Sequence, residues 1–397
     1  MIVQVEVWIS RRTTDQVIWC AKTKIAADLC CHGQDVLRYS GAMDDALAAL
    51  RTEFRNRGWN QRPVLPVVLE LAVHVSLALG GIAIFLFTEP LWLRILGMLI
   101  STYGSVGVGT NTHTATHYGA SRHRWVNEVL AYFGYPFFLM LGATFWRHRH
   151  ITLHHANPNV MGIDGDCDFP PFFASTDQEV AKGIGYFGRY QHLVFPCMAW
   201  LNSYLRQIGS WRHLFAILPD KSRRRMAHWA DLMMMLLHIV VWFVIPSFFF
   251  PVLNVIGFNL MRIGLLGYPL YWVLAPGHYP AEALCIAKGD WKKDFVLLQT
   301  ATTINFRTGF FGSLVCSGLQ YQIEHHLFPG YSHIYYKRMA PMVQEFCVKN
   351  GYPYRMFGWA ESVLKTFEIF AKPKHVYANV EELRAAVKQE LSQSSAP

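Results

Sequence analysis

Residues 64–87 read VLPVVLELAVHVSLALGGIAIFLF, a stretch whose only charged side chain is Glu70. The hydrocarbon core of a bilayer needs roughly 20 apolar residues in a helix, so this stretch is long enough to cross it. Glu89 and Pro90 then interrupt the apolar run, and LWLRILGMLISTYGSVGVG at residues 91–109 follows with one arginine near its start. The two stretches predict a pair of membrane helices joined by a very short turn.

A second apolar block occupies residues 231–275 and is about twice as long as one membrane span. Pro246 and Pro251 lie near its middle, where they favour a turn between two helices. Together the blocks predict an all-α integral membrane protein with four transmembrane helices in two hairpins. The expected spans are 64–87, 91–109, 231–250 and 252–275.

The basic residues that flank these spans predict their orientation. Four arginines precede the first span and Lys221 with three arginines precedes the third, whereas the turns at 88–91 and 247–251 carry no Lys or Arg. By the positive-inside rule, the N-terminus, the loop from 110 to 230 and the tail from 276 to 397 are expected in the cytoplasm. The apolar segments 126–145 and 192–205, interrupted by Gly or Pro, are predicted to be interfacial or re-entrant.

Composition narrows the class of protein. Of 397 residues, 52% are hydrophobic and 16% are charged, which excludes a disordered chain, a collagen and a small disulfide scaffold. The net charge of +9 suits anionic lipid headgroups, phosphorylated cofactors or an acidic partner as well as nucleic acid. The eight cysteines contain no CxxC pair, so they are expected to be reduced thiols.

Histidine is unusually frequent, with 18 residues, and three histidine clusters contain the candidate metal ligands. HTATH (113–117) directly follows the second span, RHRHITLHH (147–155) lies in the long loop, and QIEHHLFP (322–329) lies in the tail. Histidines four apart on an α-helix share a face and can share a metal ion. The candidate metal ligands are His113, His117, His150, His154, His155, His325 and His326, with Gln322 on the face of the last two.

Seven histidines exceed what one tetrahedral zinc site uses, so two metal ions are the simpler interpretation. A site with imidazole ligands, open coordination positions and almost no thiolate suits iron. Zinc is not redox-active, so it could not replace iron in an oxidation. All three clusters fall in segments that the charge pattern places on one membrane face. We therefore expect a cytosolic helical cap that carries a histidine-rich di-metal site.

At these motifs the sequence resembles the membrane fatty acid desaturase family, over roughly residues 60–345. The third cluster, QIEHHLFP, and the segment HHANPNVMGIDGDCDF at 154–169 are similar to the acyl-lipid or front-end branch. The resemblance implies oxygen-dependent insertion of a double bond into a fatty acyl chain by two iron ions, with the seven histidines as ligands and Gln322 in or beside the ligand set. It also implies a further ligand before the third cluster, for which Gln299 and Asn305 are the candidates.

The chain departs from the family pattern in three ways. Thr114 stands where the first cluster usually has Asp, and the HxxxHH spacing of the second leaves His148 and His150 as alternative ligands. The first 60 residues contain no haem motif of a fused cytochrome b5, so an external donor, ferredoxin or cytochrome b5, is expected. His278 and His333, which lie outside the clusters, are predicted to be surface or interfacial.

Two other functions are compatible with these residues. A di-iron lipid hydroxylase or acetylenase would share the oxidant, and a non-enzymatic membrane zinc carrier or receptor would share the histidines. The acyl group could arrive on CoA, a carrier protein or a phospholipid, and no nucleic acid partner is expected. We divide the chain into a basic cytosolic segment (1–62), a desaturase domain (63–380) and a polar tail (381–397).

Overall fold

The computed structural model describes residues 41–166, 169, 171–289, 291 and 294–394, and these are mostly helical. Three helical segments are wound as π-helices, Phe133–Leu139, Arg147–His155 and Val240–Val244. The α-helices are α1 Gly41–Asn56, α2 Val64–Phe87, α3 Leu91–Thr116, α4 Arg124–Tyr132, α5 Ala143–Trp146, α6 Asp177–Ala181, α7 Gln191–Met198, α8 Leu201–Ile217, α9 Met226–Ile239, α10 Val252–Leu265, α11 Gly267–Val273, α12 Phe295–Ala301, α13 Phe310–Cys316, α14 Gln322–Leu327, α15 Tyr336–Lys349, α16 Trp359–Glu368 and α17 Val380–Ser394.

Within the described residues, four helical stretches are long and apolar enough to cross a membrane: Val64–Phe87, Leu91–Thr116, Met226–Phe248 and Val252–Gly277. The number of these candidate stretches agrees with the four predicted spans, and α2 has the bounds that the sequence predicts. A fifth stretch, Arg124–Leu139 with Ala143–His155, is bent by 105° at its break, as a re-entrant segment or a broken span would be.

The second span is longer than its apolar run, because α3 continues seven residues beyond the predicted end at Gly109. Thr112 donates a hydrogen bond to the carbonyl of Val108 in the preceding turn, and Thr110 donates to the carbonyl of Val315 at 2.6 Å, so both hydroxyls are satisfied without interrupting the helix. The polar residues that end the hydropathy signal therefore do not end the helix. As a result, the first histidine cluster lies on the last turn of a membrane helix.

Glycines allow α2 and α3 to approach closely. A Cβ atom built on Gly81 would collide with the backbone at Gly97 and Ser101, and one on Gly104 would collide with the backbone at Ala78. Small residues at helix contacts let backbones meet where the hydrophobic effect gives no driving force between membrane helices. This contact fixes the position of α3 and of the histidines at its end.

The largest buried apolar cluster surrounds α14, the helix of the third histidine cluster. Phe54 of α1 packs edge-on against Phe328, with ring centroids 5.1 Å apart, and Leu383 and Val387 of α17 belong to the same cluster. Two short parallel sheets add to this part of the fold. Strand β1 (Cys285–Ile286) pairs with β4 (Val376–Tyr377), and β2 (Asn305–Arg307) pairs with β3 (Met356–Gly358).

We expect Gly81→Ala to destabilise the protein by about 1–3 kcal/mol, because the added methyl group overpacks the α2–α3 contact. Gly80→Ala is the matched control, since a Cβ atom on Gly80 meets nothing within 4 Å. Thermal unfolding of the purified variants in detergent measures the difference. Equal unfolding midpoints for the two variants would contradict the close contact between α2 and α3.

Candidate metal centre

Five histidines from three separate elements converge on one point. Their ligand nitrogens all lie within 4.8 Å of one another. Nε2 of His113 is 3.2 Å from Nε2 of His150 and 3.1 Å from Nε2 of His325, and Nε2 of His150 is 3.1 Å from Nε2 of His155. We call this set, completed by His117, the first group: His113, His117, His150, His155 and His325.

Three further histidines form a second group, His154, His278 and His326, whose ligand nitrogens also lie within 4.8 Å of one another. Their ring centroids are 4.5 to 5.0 Å apart. The two groups touch, because the His155 ring stacks on the His326 ring at 4.2 Å. The arrangement is therefore two adjacent sets of imidazoles, as two neighbouring metal ions would require.

The π-helix Arg147–His155 explains how one cluster serves both groups. A π-helix places residues five apart on one face, so His150 and His155 both face the first group. His154 consequently points to the second group. The α-helical spacing used for the sequence interpretation put His150 and His154 on one face instead.

His278 is the histidine that sequence reasoning missed. The prediction that it is a surface or interfacial residue is wrong, since it is 7% exposed and contributes to the second group. It follows directly after the fourth span and has no neighbouring histidine in the sequence. Its position after that span is the one sequence signal that could have identified it.

In four of the histidines, the ring nitrogen that faces away from the groups has a hydrogen-bond partner. Asp164 accepts from Nδ1 of His154 at 2.8 Å, and Gln299 accepts from Nδ1 of His326 at 2.9 Å. Nδ1 of His325 lies 3.3 Å from the hydroxyl of Tyr336, and Nδ1 of His113 lies 3.2 Å from that of Tyr135. Such partners fix the tautomer and the ring orientation, and they leave Nε2 for a metal ion.

The three amide side chains that the sequence singles out differ in what they contact. Gln322 accepts a hydrogen bond from Nε2 of His278 at 3.2 Å. The Gln299 amide also donates to the carbonyl of His155 at 3.0 Å, so both of its polar atoms are used. Asn305 donates to Glu324 at 2.8 Å and accepts from the backbone N–H of Ile323, so it supports the start of α14.

The peptide of His278 is fixed by two residues from distant parts of the chain. Its carbonyl accepts from Nδ2 of Asn159 at 2.9 Å and from Nζ of Lys374 at 3.0 Å. The backbone N–H of Asn159 in turn donates to Asp164, the partner of His154. One network therefore positions two members of the second group.

Burial keeps most of these imidazoles neutral. Desolvation and repulsion from neighbouring histidines lower the pKa of five of them, His117, His155, His278, His325 and His326, well below the ordinary value. Burial lowers the pKa of His150 to about 4. His154 differs, because burial is opposed by Asp164, which raises its pKa. Neutral imidazole is the form that binds metal.

The residues present fit a pair of metal ions. Nε2 of His117, Nε2 of His326 and Nδ1 of His278 are buried without a hydrogen-bond partner among the described residues. Two imidazole nitrogens bound to one metal ion at about 2.1 Å lie roughly 3.0–3.4 Å apart, which matches the spacing within the first group. A bound cation would satisfy these lone pairs, which otherwise face one another.

His148 and Thr114, whose roles the sequence did not decide, lie outside both groups. His148 is exposed and stacks on His213, so His150 is the member of that pair within the first group. Thr114 lies 2.7 Å from Nδ1 of His333 and does not contact a histidine of either group through its hydroxyl. His333 is 4% exposed, so its predicted surface position is wrong.

Two adjoining cavities reach the first group. One, which we call the metal-side cavity, is lined by histidines of both groups together with Asp166 and Gln322. The other, the apolar cleft, is lined by α3, α8, α11 and the bent segment, and most of its lining side chains are aliphatic or aromatic. The cavities share these lining residues: His113, Trp146, Arg206, Leu270, Leu274 and Leu319.

Comparison with known proteins shows that the family model described as Fatty acid desaturase matches residues 89–358, which is more than half of the chain. The chain is 28% identical over 263 residues to the Delta(5) fatty acid desaturase fat-4 of Caenorhabditis elegans, covering 62% of this chain and 56% of that protein. It is 26% identical over 308 residues to the sn-1 linoleoyl-lipid 6-desaturase of Arthrospira platensis, covering 73% and 80%. Human Fatty acid desaturase 3 is 27% identical over 255 residues, covering 62% and 53%. The chain thus spans a little over half the length of the animal relatives.

We expect His278→Ala to lower the metal content of the purified protein from about two ions to about one per chain, because the second group loses one of its three imidazoles. His148→Ala is the control and should keep the wild-type content, since its ring is exposed. Elemental analysis of both variants, with helix content checked by circular dichroism, measures the effect. Unchanged metal content in a folded His278→Ala protein would exclude His278 as a ligand.

Proposed function

The chain belongs to the fatty acid desaturase family, and we propose that it introduces a double bond into a fatty acyl chain of a lipid. The observation that supports this function best is the pair of buried histidine groups beside an apolar cleft. An unactivated methylene group has no acidic proton and no leaving group, so acid–base or nucleophilic side chains cannot attack it. The reaction therefore needs a strong oxidant and a site that places the chain beside it.

We propose that the first group and the second group each hold one iron ion, with His113, His117, His150, His155 and His325 around one and His154, His278 and His326 around the other. Bound iron would supply the redox chemistry with dioxygen that removes hydrogen from the acyl chain. Gln322 and Gln299 hydrogen-bond these histidines, and Asn305 supports the helix of the third histidine cluster. Their hydrogen bonds hold the rings and the start of α14 in place.

The apolar cleft supports an acyl substrate. Leu139, Leu266, Val273 and Leu274 line it, and His113 and Trp146 lie where it meets the metal-side cavity. Its walls exclude water and fix the chain, so a chosen pair of carbons lies at the histidines. Placement matters because a small shift along the chain would move the double bond.

We propose that the four membrane helices form two hairpins, with the N-terminus, the metal centre and the C-terminus on the cytoplasmic side. The arginines and lysines before the first and third spans support this orientation. Within the proposed division, residues 63–380 form the desaturase domain between the segments 1–62 and 381–397. Electrons would come from a separate cytoplasmic donor, ferredoxin or cytochrome b5.

We expect cells that express the protein to contain a new unsaturated acyl species, and purified protein to contain about two irons per chain. His325→Ala and His326→Ala should lower the amount of this species by more than about 100-fold, because each removes a metal-facing imidazole. The control variant His148→Ala should retain the product, because the His148 ring is exposed although it belongs to the second histidine cluster. Mass spectrometry of the extracted lipids measures all four proteins.

The same samples distinguish a desaturase from the other candidate functions. A gain of one oxygen in the acyl product, with iron bound, would identify a hydroxylase in place of a desaturase. Tightly bound zinc with an unchanged lipid profile would contradict an oxidase altogether. Comparable expression of each variant, measured by immunoblot, ensures that a lost product reflects chemistry.

A further inference from the structure

We propose that Arg206 binds the carbonyl oxygen of the acyl substrate and thereby determines which carbons meet the metal centre. This inference rests on the proposed desaturase function and assigns a residue to substrate placement. Arg206 belongs to α8, outside the three histidine clusters. Its position, charge and partners each support the assignment.

Arg206 lies where the apolar cleft and the metal-side cavity join, and it lines both. Among the described residues that line the cleft, it is the one Lys or Arg side chain. Asn202 and Ser203, one turn earlier on α8, line the same cleft, whereas α11 and the residues that flank it contribute leucine, valine and proline. The cleft therefore has polar groups on the α8 side, with further polar side chains from α3, and an apolar wall around α11, as a chain with one polar end requires.

Arg206 shares its carboxylate partner with a second guanidinium. Its Nη1 donates to Oδ1 of Asp166 at 2.6 Å, and Arg149 donates to the same oxygen at 3.1 Å. A guanidinium has five N–H donors and no acceptor, and within the described part of the chain one donor of Arg206 is engaged, so the others remain for another acceptor. Asp166 supplies one negative charge to two guanidiniums, so the remaining donors of Arg206 suit an acceptor oxygen such as the carbonyl of an acyl ester.

Arg206 is also close to the metal centre. Asp166 bridges the two, with Oδ1 on Arg206 and Oδ2 at 3.7 Å from Nδ1 of His150, a member of the first group. A carbonyl held by Arg206 therefore leaves only a short length of chain between the anchor and the histidines. The double bond is then expected in the carboxyl-proximal part of the acyl chain, at a position fixed by the anchor.

A purely structural role for Arg206 would be to stabilise Asp166. Arg149 already serves Asp166, through its side chain and through the neighbouring carbonyl of Gly165. Removal of Arg206 thus leaves the Asp166 carboxylate paired. The two roles can be separated, because only a substrate anchor makes binding depend on the carbonyl oxygen of the ligand.

The test compares ligands that differ in that oxygen. Purified metal-loaded protein is titrated with stearoyl-CoA and with its S-octadecyl thioether analogue, and with a diacyl phosphatidylcholine and its dialkyl ether analogue. The wild type should bind the carbonyl-bearing member of the true substrate pair about tenfold more tightly, the effect of one hydrogen bond to a charged group. A preference within the CoA pair identifies a thioester substrate, and one within the phospholipid pair identifies a lipid ester.

Arg206→Met should lose this preference, and Arg206→Lys, which keeps the charge beside Asp166, should retain part of it. Arg212→Met is the matched control, because Arg212 is an exposed residue of the same helix. An equal preference in Arg206→Met and wild type, or no preference in the wild type, would overturn the proposal. Since binding needs no turnover, this result is independent of whether the protein proves to be a desaturase.

Product analysis adds a second readout. In expressing cells, the wild type should place the double bond at one carboxyl-proximal position, whereas Arg206→Met should give less product and a mixture of positions. A reduced yield at the unchanged position would indicate a structural role and contradict the anchor. Absence of any unsaturated product from the wild type would instead contradict the proposed function.

Discussion

The constraint on which the rest of this structure depends is the crowding of imidazole nitrogens in a buried space. Nε2 of His113 lies within 3.2 Å of two other Nε2 atoms, and burial keeps the surrounding rings neutral. Lone pairs at this distance repel one another unless a cation lies between them, and an unpaired buried polar atom is costly. The fold must therefore hold the rings from behind, which is what Asp164 and Gln299 do.

The packing of the membrane helices determines where the first histidine cluster lies. α3 is a membrane helix for most of its length, and its last turn carries His113. The contact of Gly81 with Gly97 therefore sets the depth of the first histidine cluster as well as the packing of two spans. The C-terminal part of the chain contributes through Lys374, which holds the peptide of His278 although it lies beyond the segment that matches the family.

Much of this arrangement could be predicted from local patterns. A long apolar run is sufficient to define α2, and clustered histidines identify seven of the eight rings, because both signals depend on neighbours in sequence. What could not be predicted depends on distant contacts or on unusual winding. His278 has no local motif, and the π-helix changes which histidine pairs with His150 without any sequence signal that periodicity would detect. Of the two candidates for a further ligand, Gln299 hydrogen-bonds Nδ1 of His326, whereas Asn305 hydrogen-bonds Glu324.

Neutral ligands leave the charge of bound cations without compensation, and in a buried site such charge is costly. Asp164 offsets part of this charge from behind the His154 ring. Asp166 lies beside His150 and also pairs with Arg206, and that places a guanidinium at the junction of the two cavities. The carboxylate beside His150 therefore also sets the position of the proposed substrate anchor. Metal binding and acyl placement are coupled through one side chain, so a change at Asp166 would alter both.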